Sequence, residues 1–186
     1  MVLNCNGWLF HVTIEQDKAI LWIKTIDKKI LRLRDSYQPF FYILPRNEPD
    51  GNYLFHILSQ QTLVKKVSWE ENKSTNPFEE YSKKKLICVV SEVQSYTILI
   101  KRLERDPRLK QIFNTDQSHV QQYLYHRLKI EPTSKVKVEY ENSTLIKIVN
   151  VEHEDDITPP PFLILHINIQ TLSRKIDPED TVVLIN

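Results

Sequence analysis

Hydrophobic and polar residues alternate over most of the first third of the chain, the period-two signature of strands with one buried face. Over residues 8–14, Trp8, Phe10, Val12 and Ile14 share one side; residues 19–24 are apolar; and Leu31 and Leu33 alternate with Arg32 and Arg34. These segments predict an antiparallel meander. Pro39 then opens the run Phe40-Phe41-Tyr42-Ile43-Leu44, closed by Pro45 and a polar turn over residues 46–52. Three successive aromatics predict a strand buried on both faces. Residues 53–61 predict a short helix leading into an extended stretch at 63–67. Residues 70–85 are polar and proline-interrupted and predict a loop or irregular hairpin, followed by a compact apolar strand at 86–90.

The period then lengthens. Ser95 is placed to cap a helix carrying Leu99, Ile100 and Leu103 and ending before Pro107, and Asp116 to cap a second. Val120, Tyr123, Leu124 and Leu128 give that second helix one apolar face, with Pro132 just beyond it. Strands return with Val136, Val138 and Tyr140 alternating against Lys137 and Glu139, then at 144–151 and 162–169. Pro159-Pro160-Pro161 stiffens the entry to the last of these and marks a boundary between a domain at 1–158 and the start of another at 159–186. Residues 181–185 would pair beside that strand as a hairpin, and the second sheet stops abruptly at Asn186, so the chain reads as cut rather than finished. The fold class expected is α+β, a mixed, largely antiparallel sheet domain with about two helices followed by the first strands of a second domain.

Composition narrows the chemistry. With 41% hydrophobic and 26% charged residues in 186, a folded core is expected. The two glycines, Gly7 and Gly51, are too few for a dinucleotide fingerprint or a P-loop. Cys5 and Cys88 are too few for a disulfide framework and fit a reducing, cytoplasmic setting. No apolar run of about 18 residues suggests a membrane span. Net charge is +1, but basic residues cluster over 101–110 and at Lys83-Lys84-Lys85. Such clusters suit a phosphate backbone, although singly each reads as a solvated face.

Two stretches, in matching order and separation, resemble family B DNA polymerases, the archaeal ones in particular. The first is Tyr37-Gln38-Pro39-Phe40-Phe41-Tyr42-Ile43-Leu44, similar to a family strand in which Arg-Pro precedes aromatics. The second runs from Asp106-Pro107 through Ile112-Phe113-Asn114-Thr115-Asp116 to Tyr123-Leu124. About 40 residues further on, Asn168-Ile169-Gln170-Thr171 resembles the first motif of the proofreading exonuclease, where the family has Asp-Ile-Glu-Thr. The resemblance implies the amino-terminal domain of such a polymerase joined to the start of a ribonuclease H-like exonuclease domain. The parent would be a DNA-directed DNA polymerase needing Mg²⁺, in the nucleoid-associated cytoplasm; the fragment itself would hold no cofactor and no catalytic residue. In the family motif, two carboxylates two positions apart on a strand hold divalent metals. Asn168 and Gln170 offer carbonyl oxygens without charge and are poor Mg²⁺ ligands, which implies an inactivated motif.

The implied partners are single-stranded template DNA and the remaining polymerase domains or subunit. Candidate template contacts are Phe40 and Tyr42 for stacking, with Arg102, Arg105 and Arg108 as a basic groove. The archaeal family also carries a pocket that reads uracil in the template, and its matching positions are Pro39, Phe40, Tyr96, Asn114, His119 and Gln122. Here Tyr96 replaces a small aliphatic residue, and its ring would fill such a pocket. Gln122 and His119 stand where the family has Arg and Phe. The competing readings are a stand-alone RNA- or protein-binding domain, a working nuclease fragment, and an inactivated polymerase relative with a regulatory role. The aromatic and glycine-rich RNA-binding signature is missing.

Overall fold

A computed structural model describes residues 1–72, 84–131, 133–151, 168–171 and 182–185. In chain order the strands and helices are β1 (Leu3–Glu15), β2 (Lys18–Thr25), β3 (Ile30–Ser36), β4 (Phe40–Pro45), α1 (Glu48–Ser59), β5 (Val64–Asn72), β6 (Lys84–Ser91), α2 (Val93–Leu103), β7 (Leu109–Phe113), α3 (His119–Gln122), β8 (Lys135–Glu141), β9 (Thr144–Asn150), β10 (Asn168–Thr171) and β11 (Val182–Ile185). Helix α3 continues directly as a π-helical segment, Tyr123–Leu128, which Lys129 ends in the left-handed conformation.

The expected meander exists but closes on itself. Strands β1, β2, β3, β9 and β8 form a closed five-stranded barrel, with β8 returning to pair with β1 and β9 meeting β3 in parallel at Arg34 and Thr144. Closure removes the exposed edges that an open meander would leave unpaired. Its core gathers Leu9, Val12, Ala19, Leu21, Ile23, Leu33, Val136, Val138 and Leu145, capped by Tyr37, Tyr123, Leu124 and Ile130. A β-bulge between Leu9 and His11 in β1 helps to bend that long strand around the barrel. The tight turn from β8 to β9 places Asn142 and Ser143 both at positive φ, 48° and 62°, the backbone signature of a twisted two-residue hairpin turn.

Between β3 and β8 the chain builds a second layer, a four-stranded antiparallel sheet of order β5-β6-β4-β7, whose one face is covered by α1 and α2. Phe41, Ile43, Ile87 and Val89 meet Leu54, Leu58, Tyr96, Leu99 and Leu103 there. Strand β4 is therefore buried on one face rather than two: Phe41 and Ile43 are fully buried, whereas Phe40 and Tyr42 point to the other side and are half-buried.

Other expectations shift for local reasons. Helix α1 begins inside the polar turn, because Asn47 accepts a hydrogen bond from the Asp50 N–H at 2.8 Å and Pro49 suits the first helical turn. Helix α2 starts after Glu92, leaving Ser95 buried within its first turn instead of capping it. Ser118, not Asp116, caps α3, through a reciprocal capping box with Gln121. Strands β5 and β6 reach into the stretch expected to be a loop, and β7 occupies residues read only as motif. There are three helices besides the π-helical segment among the described residues. Strands β10 and β11 pair antiparallel, Asn168 opposite Ile185 and Gln170 opposite Val183; the first strand of this hairpin runs to Thr171, past the expected end at 169, and residues 162–167 lie outside the described residues. The triple proline and the domain boundary at 158 lie outside the described residues.

Gly7 sits where β1 is paired on both sides, opposite Thr25 and Val136. A β-carbon there would lie 2.4 Å from the Lys24 carbonyl oxygen, a backbone atom that cannot move without breaking the ladder. Gly7→Ala is expected to destabilise the chain by about 2 kcal/mol, read as a lower denaturant midpoint at unchanged slope.

Candidate nucleic-acid interface

The aromatic strand, α2 and α3 converge on the side chain of Gln122, which is 1% exposed. Its Oε1 accepts from the Tyr37 hydroxyl at 3.2 Å and from the Phe40 N–H at 3.3 Å. Its Nε2 donates to the Tyr96 hydroxyl and to the Asn114 carbonyl, both at 2.9 Å. The orientation of the amide is fixed by chemistry: the Phe40 N–H can only donate and the Asn114 carbonyl can only accept. All four hydrogen-bonding valences of the amide are thus met.

The surrounding groups complete the lattice. Tyr96 donates to the Asn114 carbonyl at 2.9 Å, and Asn114, in the left-handed conformation at φ 68°, donates through Nδ2 to the Phe40 carbonyl at 3.2 Å. The His119 Nδ1 lies 3.3 Å from the Tyr37 hydroxyl, and the imidazole packs edge-on against the rings of Tyr37 and Tyr96. Because the Tyr37 proton is committed to Gln122, the neutral imidazole donates from Nδ1. Burial pushes the pKa of Tyr37 and Tyr96 up and that of His119 down, each time favouring the neutral form, so the cluster is uncharged at neutral pH.

Five positions named from the sequence therefore meet: Phe40 at the start of β4, Tyr96, Asn114, His119 and Gln122; Pro39 precedes the strand, its carbonyl accepting from the Ser91 N–H at 3.0 Å. The space between them is filled by their own side chains, with the Tyr96 ring packed edge-on against Phe41 at 5.6 Å.

Beside this lattice lies an open cleft of about 600 Å³, lined by Tyr37, Gln38, Phe40, Tyr42, His126 and Arg127 among others. Its floor is the uncovered face of the second sheet. Phe40 stands edge-on to Tyr42 at 5.5 Å and to His126 at 5.1 Å. Burial, and then the nearby Glu70 carboxylate, push the Tyr42 hydroxyl and the Cys88 thiol both up to about 12, so these two groups stay protonated at neutral pH. Glu70 also lines the cleft. Arg127 supplies a cation at the rim, 3.7 Å from Asp35, whose Oδ2 also accepts from Tyr123 at 3.0 Å.

The arginines expected to complete a basic groove are elsewhere. Arg102 is exposed on α2 and Arg105 follows it, and α2 packs on the face of the sheet opposite Phe40 and Tyr42. Arg108 is committed internally: Nε and Nη2 donate to the two Asp106 carboxylate oxygens at 2.8 and 2.9 Å, and its guanidinium lies 3.8 Å from the Tyr53 ring centroid. The bonded Arg108 in turn holds the Asp106 carboxyl below the usual carboxylate range. His126 and Arg127, not among the template contacts expected from the sequence, come to the cleft because they sit on the π-helical segment away from its buried residues Tyr123 and Leu124. Their offset from that apolar pair was the available signal.

Among the described residues no three His, Cys, Asp or Glu side chains are grouped to hold a metal, and no helix is long and apolar enough to cross a membrane. Asn168 and Gln170 stand two apart in β10; two neutral amides do not fit the charge of a divalent-metal pair.

No protein-family model matches the sequence, and no curated protein matches it. Among solved structures, the chain is similar to the family B DNA polymerase of the hyperthermophilic archaeon Pyrobaculum calidifontis, with a TM-score of 0.75 over 96% of this chain at 17% identity. The match spans 24% of that polymerase. At this identity the likeness is one of fold.

Gln122→Leu would take the acceptor away from the Phe40 N–H and the Tyr37 hydroxyl in a buried site, leaving Tyr96 and the Asn114 carbonyl only their bond to each other. A loss on the order of 3 kcal/mol is expected from denaturant unfolding, with Gln122→Glu not rescuing it because a carboxylate would face the Asn114 carbonyl. His119 gives a pH signature. Its folded-state value lies below the ordinary one, so the unfolded chain takes up the proton first and stability falls as pH drops below about 6.5, levelling off beneath the folded value. His119→Asn should flatten that part of the stability–pH curve.

Proposed function

We propose that this chain is the amino-terminal portion of a family B-like DNA polymerase and that it contacts single-stranded template DNA through the Phe40–Tyr42 cleft. The observation that carries this reading is the cleft itself: an aromatic floor of Phe40 and Tyr42 with the Arg127 cation at its rim, on a fold shared with an archaeal polymerase. Stacking on aromatic rings and attraction of phosphates are the two sequence-tolerant ways to hold a single strand. Phe40 and Tyr42 would supply the first and Arg127 the second, with Gln122 and Pro39 positioning the strand that carries the rings. Arg102 and Arg105 would serve a different face.

The same geometry argues against uracil reading. Tyr96, His119 and Gln122 satisfy one another where a flipped base would have to enter, and admitting it would break a fully bonded buried network. The exonuclease-like strand would serve as scaffold, since Asn168 and Gln170 lack the charge to hold Mg²⁺ for hydrolysis. Polymerisation, with its Mg²⁺, would belong to the remaining domains or subunit of an intracellular enzyme.

The test is oligothymidine binding followed by fluorescence anisotropy. Phe40→Ala should weaken binding by about fivefold or more, and Arg127→Ala should reduce the slope of log K against log salt by about 0.7. One deoxyuridine in place of thymidine should leave affinity unchanged. Binding unaffected by Phe40→Ala but lost in Arg102→Ala with Arg105→Ala would move the contact to the helix face, and a preference for RNA over DNA would contradict the template reading.

A further inference from the structure

The barrel offers a second surface that the cleft does not use. Taking only its five strands in chain order, their order around the barrel is first, second, third, fifth, fourth and back to the first, with the third and fifth parallel. This is the connectivity of the oligonucleotide-binding fold, whose outer face on the second and third strands takes up oligonucleotides, flanked by the first-to-second and fourth-to-fifth loops. Here the whole second sheet is inserted between the third and fourth barrel strands.

The corresponding face carries the chemistry such a ligand needs. Leu21, Ile23 and Leu33 point into the barrel core, so alternation turns Trp22, Arg32 and Arg34 outward. Trp22 pairs across the ladder with His11 on one side and Arg32 on the other, and Arg34 lies opposite Ile20 on the next outward rung. The Arg32 guanidinium lies 5.4 Å from the Trp22 ring centroid, with Glu15 carboxylate oxygens at 3.4 Å. Trp22 is half-buried, whereas His11, Arg32 and Arg34 are exposed. Leu21, Ile23 and Leu33 beneath are fully buried, giving the patch a firm apolar support. The turn at Asn142 and Ser143 closes one end, where the Ser143 carbonyl accepts from the Arg34 N–H at 2.8 Å. Two arginines two residues apart on one strand are about 6.8 Å apart along it, a separation that successive phosphates of an extended strand can bridge.

We propose that this barrel face, centred on Trp22, Arg32 and Arg34, binds single-stranded DNA, one base stacking on Trp22 and neighbouring phosphates meeting the two arginines. The charge complementarity is local, since the chain as a whole carries only +1. The site uses none of the cleft residues and stands or falls apart from the cleft reading.

The experiment measures oligothymidine binding to the full chain by anisotropy together with quenching of intrinsic tryptophan fluorescence, each variant first being checked for an unchanged unfolding midpoint. Trp22→Ala should lower affinity by about fivefold or more, while Trp22→Phe, which keeps a stacking ring, should retain affinity but lose most of the quench. The double variant Arg32→Ala, Arg34→Ala, which removes only exposed groups, should make the log K against log salt slope shallower by about 1.4. Phe40→Ala should leave the quench intact. Unchanged affinity and salt slope in both barrel variants would overturn the barrel site while leaving the cleft standing; loss only in the barrel variants would do the reverse. Heparin protecting against quench equally in wild type and the arginine variant would also overturn it.

Discussion

One buried amide sets the relation between the two halves of the molecule. Tyr37 belongs to the barrel core, Tyr96 to the core beneath the second sheet, and the Gln122 side chain bonds to both hydroxyls while also gripping the Phe40 N–H and the Asn114 carbonyl. A glutamine in such a place must find four partners or pay heavily for desolvation, so its position and theirs are mutually determined. That constraint fixes the start of β4, the left-handed turn at Asn114 and the packing of His119. Four of the residues that line the cleft hang from these points: Phe40 and Tyr42 lie on β4, and His126 and Arg127 lie on the segment that follows Gln122.

The architecture follows from where the insertion falls. Closing five strands into a barrel brings the outer edges of the meander together, β3 meeting β9 at Arg34 and Thr144, but it also needs β8 and β9 to return after a long excursion. The excursion folds on its own core, covers one sheet face with α1 and α2, and leaves the other toward the π-helical segment. Asp17 helps to tie the two together from the barrel side: its carboxylate accepts from the Val93 N–H at 2.9 Å at the start of α2, and its carbonyl accepts from the Tyr37 N–H at 3.0 Å. The β1–β2 and β8–β9 hairpins are local contacts, whereas the β1–β8 pairing spans most of the chain and carries the loop-closure cost of the fold.

Local elements were legible in the sequence because their signals are local. Alternation at Leu31 and Leu33 located β3, and Val136, Val138 and Tyr140 located β8; the hydrophobic spacing of Leu99 and Leu103 located α2. Barrel closure was not legible, since nothing in the alternation of β1 says that its two edges pair with β2 and β8. The caps were misassigned where several candidates lay close together, as with Asp116 and Ser118, and only the reciprocal Gln121 partner distinguishes them. At the candidate site, the aromatic strand and the convergence of Tyr96, Asn114, His119 and Gln122 came from the family resemblance. The arginines did not follow, because charge clustering along the chain says nothing about which face of a sheet a helix covers.

The template-binding reading joins a polymerase-like fold to an aromatic cleft with Arg127 at its rim. The most direct measurement is residue-resolved NMR of the chain titrated with a short oligothymidine. Shifts should concentrate on Phe40, Tyr42, His126 and Arg127, with the buried Gln122 amide responding only weakly because its network stays intact. Shifts confined to Arg102 and Arg105 on α2, or no shifts at all at saturating DNA, would contradict a template-binding role for the cleft.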